Sequence, residues 1–293
     1  MPEYLTLLQR HLGDFEHGVT AGPGDEAVMA DRALAEGYDL IIAVGGDGTW
    51  SHVADRIVAS GRQDVRFGIL PAGTGNDFGK GFGVASGDPE DAVRACASGH
   101  ELRVDMGELR IQREGTGPDS LEEPPRHFTL LVGFGIDVAI IESVRQARFI
   151  RGPLVYQAAA IRNLFTYRSQ SMRYSDGVDF EGEDAHLLLA ICNGPIVGGG
   201  FHIAPGASFT DGLLDVRAVR DAGPLGRAGA LYRVERGRGD SSPLVRAAAV
   251  TEFTVRFDTP APFQVDGELQ PERILRADIR VLPGALRVAT PDT

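Results

Sequence analysis

The spacing of apolar positions changes character near residue 102 of this 293-residue chain. Before it, short greasy runs alternate with stretches of helical period. Asp39 to Val44 is mostly apolar and rich in branched residues, which suits a strand buried on both faces, as in a parallel sheet. Arg66 to Leu70 repeats the pattern. Ala27 to Glu36 reads as a helix stopped by Gly37, Trp50 to Ser60 as another, and Pro89 to Ser98 as a third with Asp88 as its N-cap. Strand, turn, helix and strand in that order make a parallel α/β unit.

Beyond residue 102 strand-like segments dominate: Glu101 to Leu109, His127 to Phe134, Ala185 to Cys192, Leu213 to Val219, Thr251 to Phe257, and Ile274 to Val288, the last expected as two strands broken at Pro283-Gly284. Short strands between turn signals predict an antiparallel sandwich or barrel. One helical insert interrupts them, with Leu154, Ala158, Ile161 and Phe165 at helical spacing. Gly115 to Pro125 reads as a loose hairpin tip, and a helix is expected near Leu225 to Val234. The expected fold class is α/β in two domains: a parallel-sheet α/β domain over residues 1–101 and a larger antiparallel β-sandwich domain over 102–293. Chains above roughly 250 residues usually divide in this way.

Composition adds limits. A hydrophobic share of 43% supports a packed core, and 38 glycines favour tight turns and close backbone approach to ligands. With 29 basic and 41 acidic residues the net charge is −12. That argues against a nucleic-acid partner and against tight anchoring to anionic lipid. Cys96 and Cys192 lie in unrelated contexts and are expected to be buried free thiols. No zinc spacing is present. The segment Met1 to Tyr4 carries no secretory pattern. The longest greasy stretch, Phe128 to Ile141, is interrupted by Gly133, Gly135 and Asp137, and falls short of the roughly 18 apolar residues that a spanning helix needs. A cytoplasmic protein is expected, one that visits a membrane surface if its substrate is a lipid.

The chemistry concentrates in two loops. Gly45, Gly46, Asp47, Gly48 and Thr49 follow a buried strand and open a helix. Glycines let backbone amides approach phosphate oxygens, and a helix N-terminus offers free N–H groups. Asp47 beside a phosphate calls for a cation such as Mg²⁺, or orients a substrate group. No Walker A lysine follows. Alone, the motif is also compatible with a tight turn. Pro71 to Phe78, with Gly73, Thr74, Gly75, Asn76 and Asp77, follows the next strand at the same sheet edge, where ligands of parallel sheets bind.

These two loops resemble those of the diacylglycerol kinase catalytic-domain family, which includes bacterial lipid kinases and the sphingosine and ceramide kinases. The first loop is shared with NAD kinases and phosphofructokinases; the second is specific to the lipid kinases. The likeness continues through Val132 to Asp137, Asn193-Gly194 with Gly198 to Gly200, Ala204 to Ala207, Asp211 to Asp215, and Val265 to Glu268.

The resemblance implies an active site in the cleft between the two domains, with ATP as co-substrate, Mg²⁺, and a lipid alcohol as acceptor. It assigns the nucleotide side to Thr20, Gly45, Gly46, Asp47, Gly48, Thr49, Trp50, Ser51, Gly73, Thr74, Asn76 and Asp77. Asp266 becomes the candidate general base, supported by Glu268 through a metal–water network. Read without the family, Asp266-Gly267 is a hairpin turn. Asp211, with the carbonyls of Ser208 and Leu213, is the implied structural Mg²⁺ site. Arg145, Arg148, Arg151, Arg162, Arg168 and Arg173 accompany the apolar face of the helical insert. They read either as a docking surface on anionic membrane or as a solvated helix face. Family members open with a strand and an Asn-Pro turn, whereas here Tyr4 to Phe15 already reads as the first helix. The opening strand is therefore expected to be missing, through a misassigned start or a lost strand. Two rivals stay open: a soluble-substrate kinase of NAD-kinase type, and a nucleotide-binding relative without turnover. A homodimer stays open as well.

Overall fold

The computed structural model describes residues 2–84, 88–117, 120–146 and 153–291. Helix α1 (Pro2–Leu12) precedes coil over residues 13–24, then α2 (Asp25–Glu36), which ends as expected at Gly37 in the left-handed conformation (φ 89°). Strand β1 (Leu40–Gly45) runs into α3 (Asp47–Ala59), and β2 (Arg66–Pro71) into the single-turn helix α4 (Asp77–Lys80). Helix α5 (Pro89–Ala97) is capped by Asp88, whose carboxylate accepts the Glu90 N–H at 3.0 Å. β1 and β2 pair in parallel from Leu40↔Arg66 to Gly45↔Pro71. Both glycine loops therefore leave the same, carboxyl end of adjacent strands.

Among the described residues no strand precedes α1, and β1 lies at the sheet's edge. α1 packs on α5, and its Tyr4 hydroxyl donates to the Pro71 carbonyl at 2.8 Å.

The second half contains β3 (Glu101–Arg113), β4 (Arg126–Phe128), β5 (Leu131–Gly135), α6 (Ile136–Gln146), α7 (Pro153–Thr166), β6 (Gln170–Ser175), β7 (Glu181–Cys192), β8 (Leu214–Arg220), α8 (Pro224–Glu235), β9 (Val245–Val250), β10 (Glu252–Val265) and β11 (Glu268–Ala289). Apart from the contact with β2, its strand pairs are antiparallel, and β10 and β7 are bridged by both β5 and β6. Alternation along the strands divides two cores. Leu189 and Ile191 of β7 join Val132, Phe134, Val216 and Phe263 inside the β layers; Leu188, Ala190 and Cys192 face a second core shared with the first half.

The structure corrects one expectation. β11 is one strand and not two: Pro283-Gly284 forms a bulge within it, where the register with β3 shifts between Leu282 and Leu286. Gly284 takes φ 58°, and its N–H is held by Asp105 Oδ1 at 2.7 Å. Beyond that bulge β11 pairs in parallel with β2, Arg287↔Arg66 and Val288↔Phe67. The end of the chain thus belongs to the nucleotide-side sheet. Both cysteines are buried and free, as expected.

Candidate active site

The two glycine loops are built against each other. A Cβ on Gly73 would lie 2.6 Å from the Gly46 Cα, and one on Gly46 would lie 3.0 Å from the Gly73 Cα. Only backbones without side chains approach so closely. The Ala72 and Gly73 N–H groups donate to the Gly45 carbonyl at 2.7 and 3.2 Å. Thr49 folds back over Gly45, whose Cβ would meet its side chain at 2.7 Å. Asn76, at φ 52°, closes the second loop by exchanging two hydrogen bonds with the Gly73 backbone, at 2.9 and 3.2 Å. Its amide shapes the loop rather than facing a ligand. Thr74 is exposed at the loop's tip.

Three acids converge here. Asp47 Oδ1 accepts the Phe78 N–H at 2.9 Å, tying the first loop to α4. Burial raises its pKa, and the nearby charges of Asp77 and Asp266 add to that effect. Asp77 is almost fully buried. It pairs with Lys80 Nζ at 2.6 Å and accepts the Gly199 N–H at 2.6 Å. Gly198, Gly199 and Gly200 all take positive φ, at 64°, 86° and 136°. Asp77 therefore latches the second loop to the β-rich half.

Asp266 sits across the cleft floor. The pair Val265↔Glu268 closes a two-residue hairpin in which Asp266 and Gly267 both have positive φ, 48° and 83°, as a type I′ turn requires. The Asp266 carboxylate is buried, and Leu130 and Leu131 N–H donate to Oδ1 at 2.8 and 2.9 Å. Oδ2 accepts from the Thr129 N–H at 2.8 Å, the Thr129 hydroxyl at 2.9 Å and the Ser51 hydroxyl at 2.5 Å. Five donors on two oxygens exceed the roughly four lone-pair sites of a carboxylate. Ser51, assigned to the nucleotide, is spent on Asp266.

His52, which the sequence did not single out, lies between Glu26 (Nδ1 to Oε1, 2.5 Å) and Glu268 (Nε2 to Oε2, 3.4 Å). Glu268 first, and Glu26 after it, raise its pKa to about 9 against the opposing effect of burial. A cavity of about 110 Å³ opens beside Gly48, Ser51, His52, Asp266 and Glu268, walled by Arg126 and His127. Thr129 is likewise a partner that no local motif announces, whereas Gly199 belongs to a glycine run that the sequence singles out without its link to Asp77.

Other assigned residues fall outside this cluster. Trp50 is fully buried, its indole N–H donating to the Ala43 carbonyl at 3.1 Å. It belongs to the core, because the helical period turns it away from the cleft. Thr20 is exposed in the coil before α2. The Asp211 turn is exposed, with Oδ1 accepting the Leu213 N–H at 3.0 Å, while Ser208 Oγ accepts the Thr210 N–H at 3.3 Å. Among the described residues no group of three or more His, Cys, Asp or Glu side chains is placed to hold a metal ion. One exposed carboxylate with backbone carbonyls is still a set of hard oxygens that a largely hydrated Mg²⁺ accepts. Arg148 and Arg151 lie outside the described residues. Arg173 pairs with Asp258, and Arg162 and Arg168 are exposed near Ile161 and Phe165. No helix among the described residues is long and apolar enough to cross a membrane.

Residues 1–109 match the diacylglycerol kinase catalytic domain, and residues 130–290 match the YegS C-terminal NAD kinase beta sandwich-like domain. The chain is 33% identical to the "Probable lipid kinase YegS-like" of Pseudomonas aeruginosa over 276 residues, covering 93% of this chain and 83% of that one. It is 27% identical to the diacylglycerol kinase of Staphylococcus epidermidis, over 92% of this chain and 80% of the relative. A crystal structure of a diacylglycerol kinase from Bacillus anthracis superposes with a TM-score of 0.71 at 18% identity, covering 99% of this chain and 91% of that one. Fold and comparisons together define a kinase-type phosphotransferase with a nucleotide-binding half and a β-rich half. More particularly, the chain belongs to the lipid-kinase family that joins a diacylglycerol kinase catalytic domain to a YegS-type C-terminal domain.

Proposed function

We propose that the protein transfers the γ-phosphate of ATP to the hydroxyl of a diacylglycerol-like or sphingoid-like lipid. The observation that carries this reading is the Ser51 hydroxyl held 2.5 Å from Asp266 Oδ2, beneath two back-to-back glycine loops. An alcohol at that position has the reach that general-base catalysis needs. The acceptor hydroxyl takes the place of Ser51 on Oδ2 and gives its proton there as its oxygen attacks the γ-phosphorus; the bond from that phosphorus to the β,γ-bridging oxygen breaks and ADP leaves with the electron pair. The backbone donors from Thr129, Leu130 and Leu131 hold the carboxylate in place during the exchange. The loop amides and the N-terminus of α3 receive the nucleotide phosphates. His52, largely protonated at neutral pH, offsets part of the negative charge that Glu268 and Glu26 bring beside Gly48.

Mg²⁺ accompanies ATP in this reading and neutralises phosphate charge when bound. Asp211 with the Ser208 and Leu213 carbonyls would hold a second, structural ion. Phe165 and Ile161, exposed on α7 with Arg162 and Arg168 beside them, fit brief contact with a membrane surface at which the protein works peripherally.

Purified protein incubated with labelled ATP, Mg²⁺, a panel of lipid alcohols and, in parallel, NAD tests the reading. Label on a lipid is expected; label on NAD and on no lipid makes this a soluble-substrate kinase. Asp266→Asn keeps the shape of the turn and is expected to lower kcat by about 10²–10⁴-fold. Wild type and variant consuming ATP at the same slow rate would remove Asp266 from the base role.

A further inference from the structure

The last turn of α8 and the 3₁₀ turn Gly239–Ser241 frame a cavity of about 540 Å³, lined by Gly229, Tyr232, Arg233, Arg236, Arg238 and Ser241. Three exposed arginines line one concavity on a chain of net charge −12. Among the described residues none of the three has a carboxylate partner. The acid nearest in sequence on one side, Asp240, is taken by Arg217 at 2.8 Å. Glu235 stands one residue from Arg236 and two from Arg233 on α8, spacings at which helical side chains do not face each other. Arg236 lies over the Tyr232 ring, 5.4 Å from its centre, and the ring itself is 58% exposed. The Ser241 hydroxyl donates to the Arg238 carbonyl at 2.7 Å and fixes the turn that presents Arg238. Gly237, at φ 66°, seats this corner on His202 and Pro205, just after the Gly198–Gly200 turn.

Unpaired like charges held together repel unless an anion lies between them, and guanidinium forks match phosphate oxygens two at a time. We propose that this cavity is an anion site that takes a phosphate group, separate from the glycine loops. Tyr232 would cover an apolar or ring portion attached to that group. The phosphate could be the headgroup of an acidic phospholipid or that of a soluble phosphate ester; the chemistry of capture is common to both. The proposal does not depend on the kinase reading, because its readout is binding with no nucleotide present.

The test compares wild type with Arg233→Gln/Arg236→Gln, both exposed positions whose replacement leaves the core intact. A charge-matched control, Arg103→Gln/Arg256→Gln, removes two exposed arginines elsewhere. Each protein is titrated calorimetrically with inorganic pyrophosphate, and sedimented with phosphatidylcholine vesicles with and without phosphatidic acid. The expected result is that the α8 variant alone loses one class of pyrophosphate sites, or binds acidic vesicles about tenfold or more weakly. Loss with pyrophosphate assigns a soluble ligand; loss with vesicles alone assigns a lipid headgroup. No binding by wild type to either probe, equal binding by all three proteins, or an equal loss in the control overturns the proposal.

Discussion

Asp137 carries a buried carboxylate oxygen, Oδ1, without a partner among the described residues. Burial pushes its pKa from 3.8 up to about 6, against the pull of the Gln264 amide on Oδ2 at 3.0 Å. In the unfolded chain the proton leaves near 3.8; in the folded one it stays until about 6. The folded state therefore binds more protons between those values, and stability falls as pH rises through them. The full cost above pH 6 is roughly 3 kcal/mol. Asp137→Asn is expected to stabilise the protein above pH 6 and to leave it unchanged below 3.8, read from urea unfolding at each pH. Parallel curves for the two proteins would mean that Asp137 is not the titrating group. Asp137 has a structural duty: Gln264, which it holds, accepts the Gly267 N–H at 2.8 Å and so braces the Asp266 turn. His52 gives the opposite test. Its pairing with Glu268 and Glu26 stabilises the fold fully below about 6.5 and is lost as pH rises through about 9. The ring is 40% exposed, so water screens the pair and the effect is small. His52→Gln should remove the component of the activity–pH profile that falls near pH 9. At this scale the sequence was readable where a motif is continuous. Gly45 to Thr49 and Pro71 to Phe78 announce themselves, while His52, Thr129 and Gly199 acquire roles only from residues far along the chain.

Among the elements, the glycine loops depend on contact between their backbones. Gly73→Ala pushes a methyl to 2.6 Å from the Gly46 Cα and 2.8 Å from Asn76 Oδ1; the Gly46 backbone cannot swing aside, and moving the Asn76 amide breaks its bonds to the Gly73 backbone. Affinity for a non-hydrolysable ATP analogue is expected to fall about tenfold or more, with a lower melting temperature of order several degrees. Gly206→Ala, whose Cβ would meet nothing within 4 Å, is the control and should behave as wild type. If Gly73→Ala binds the analogue normally, the loops open more easily than their packing indicates. The helices and buried strands were legible because their period and caps are local; Gly37 and Asp88 act as their residue types suggest. β6 and β9 were not. Gln170 to Ser175 is mostly polar, with Met172 and Tyr174 alone buried, and Val245 to Val250 is an edge strand with Val250 alone fully inside. Pro283-Gly284 looked like a break because local rules carry no knowledge of Asp105, which turns the interruption into a bulge.

Across the whole molecule, the two halves share more than a cleft. Asp77 reaches Gly199, Ser51 reaches Asp266, and Asp55 Oδ1 accepts the His127 backbone N–H at 2.8 Å. The largest shared element is β11, whose far end supplies Leu286 and Val288, both fully buried, to the core under β2. Burying two such side chains contributes on the order of 3–6 kcal/mol, a large part of an ordinary domain's stability. A chain ending at Leu282 should therefore lose ATP-analogue binding although every glycine of the loops is present. Normal binding by that truncated chain would show the first half to be self-sufficient. The return of β11 also sets an order of events during synthesis. The two glycine loops emerge first from the ribosome, but the strand that completes their sheet appears only after the β-rich half has been made. Closing so long a loop is slow, so the glycine-rich half has to wait, incompletely walled, until β11 has been made. Until then it is the part of the nascent chain most in need of a chaperone's cover.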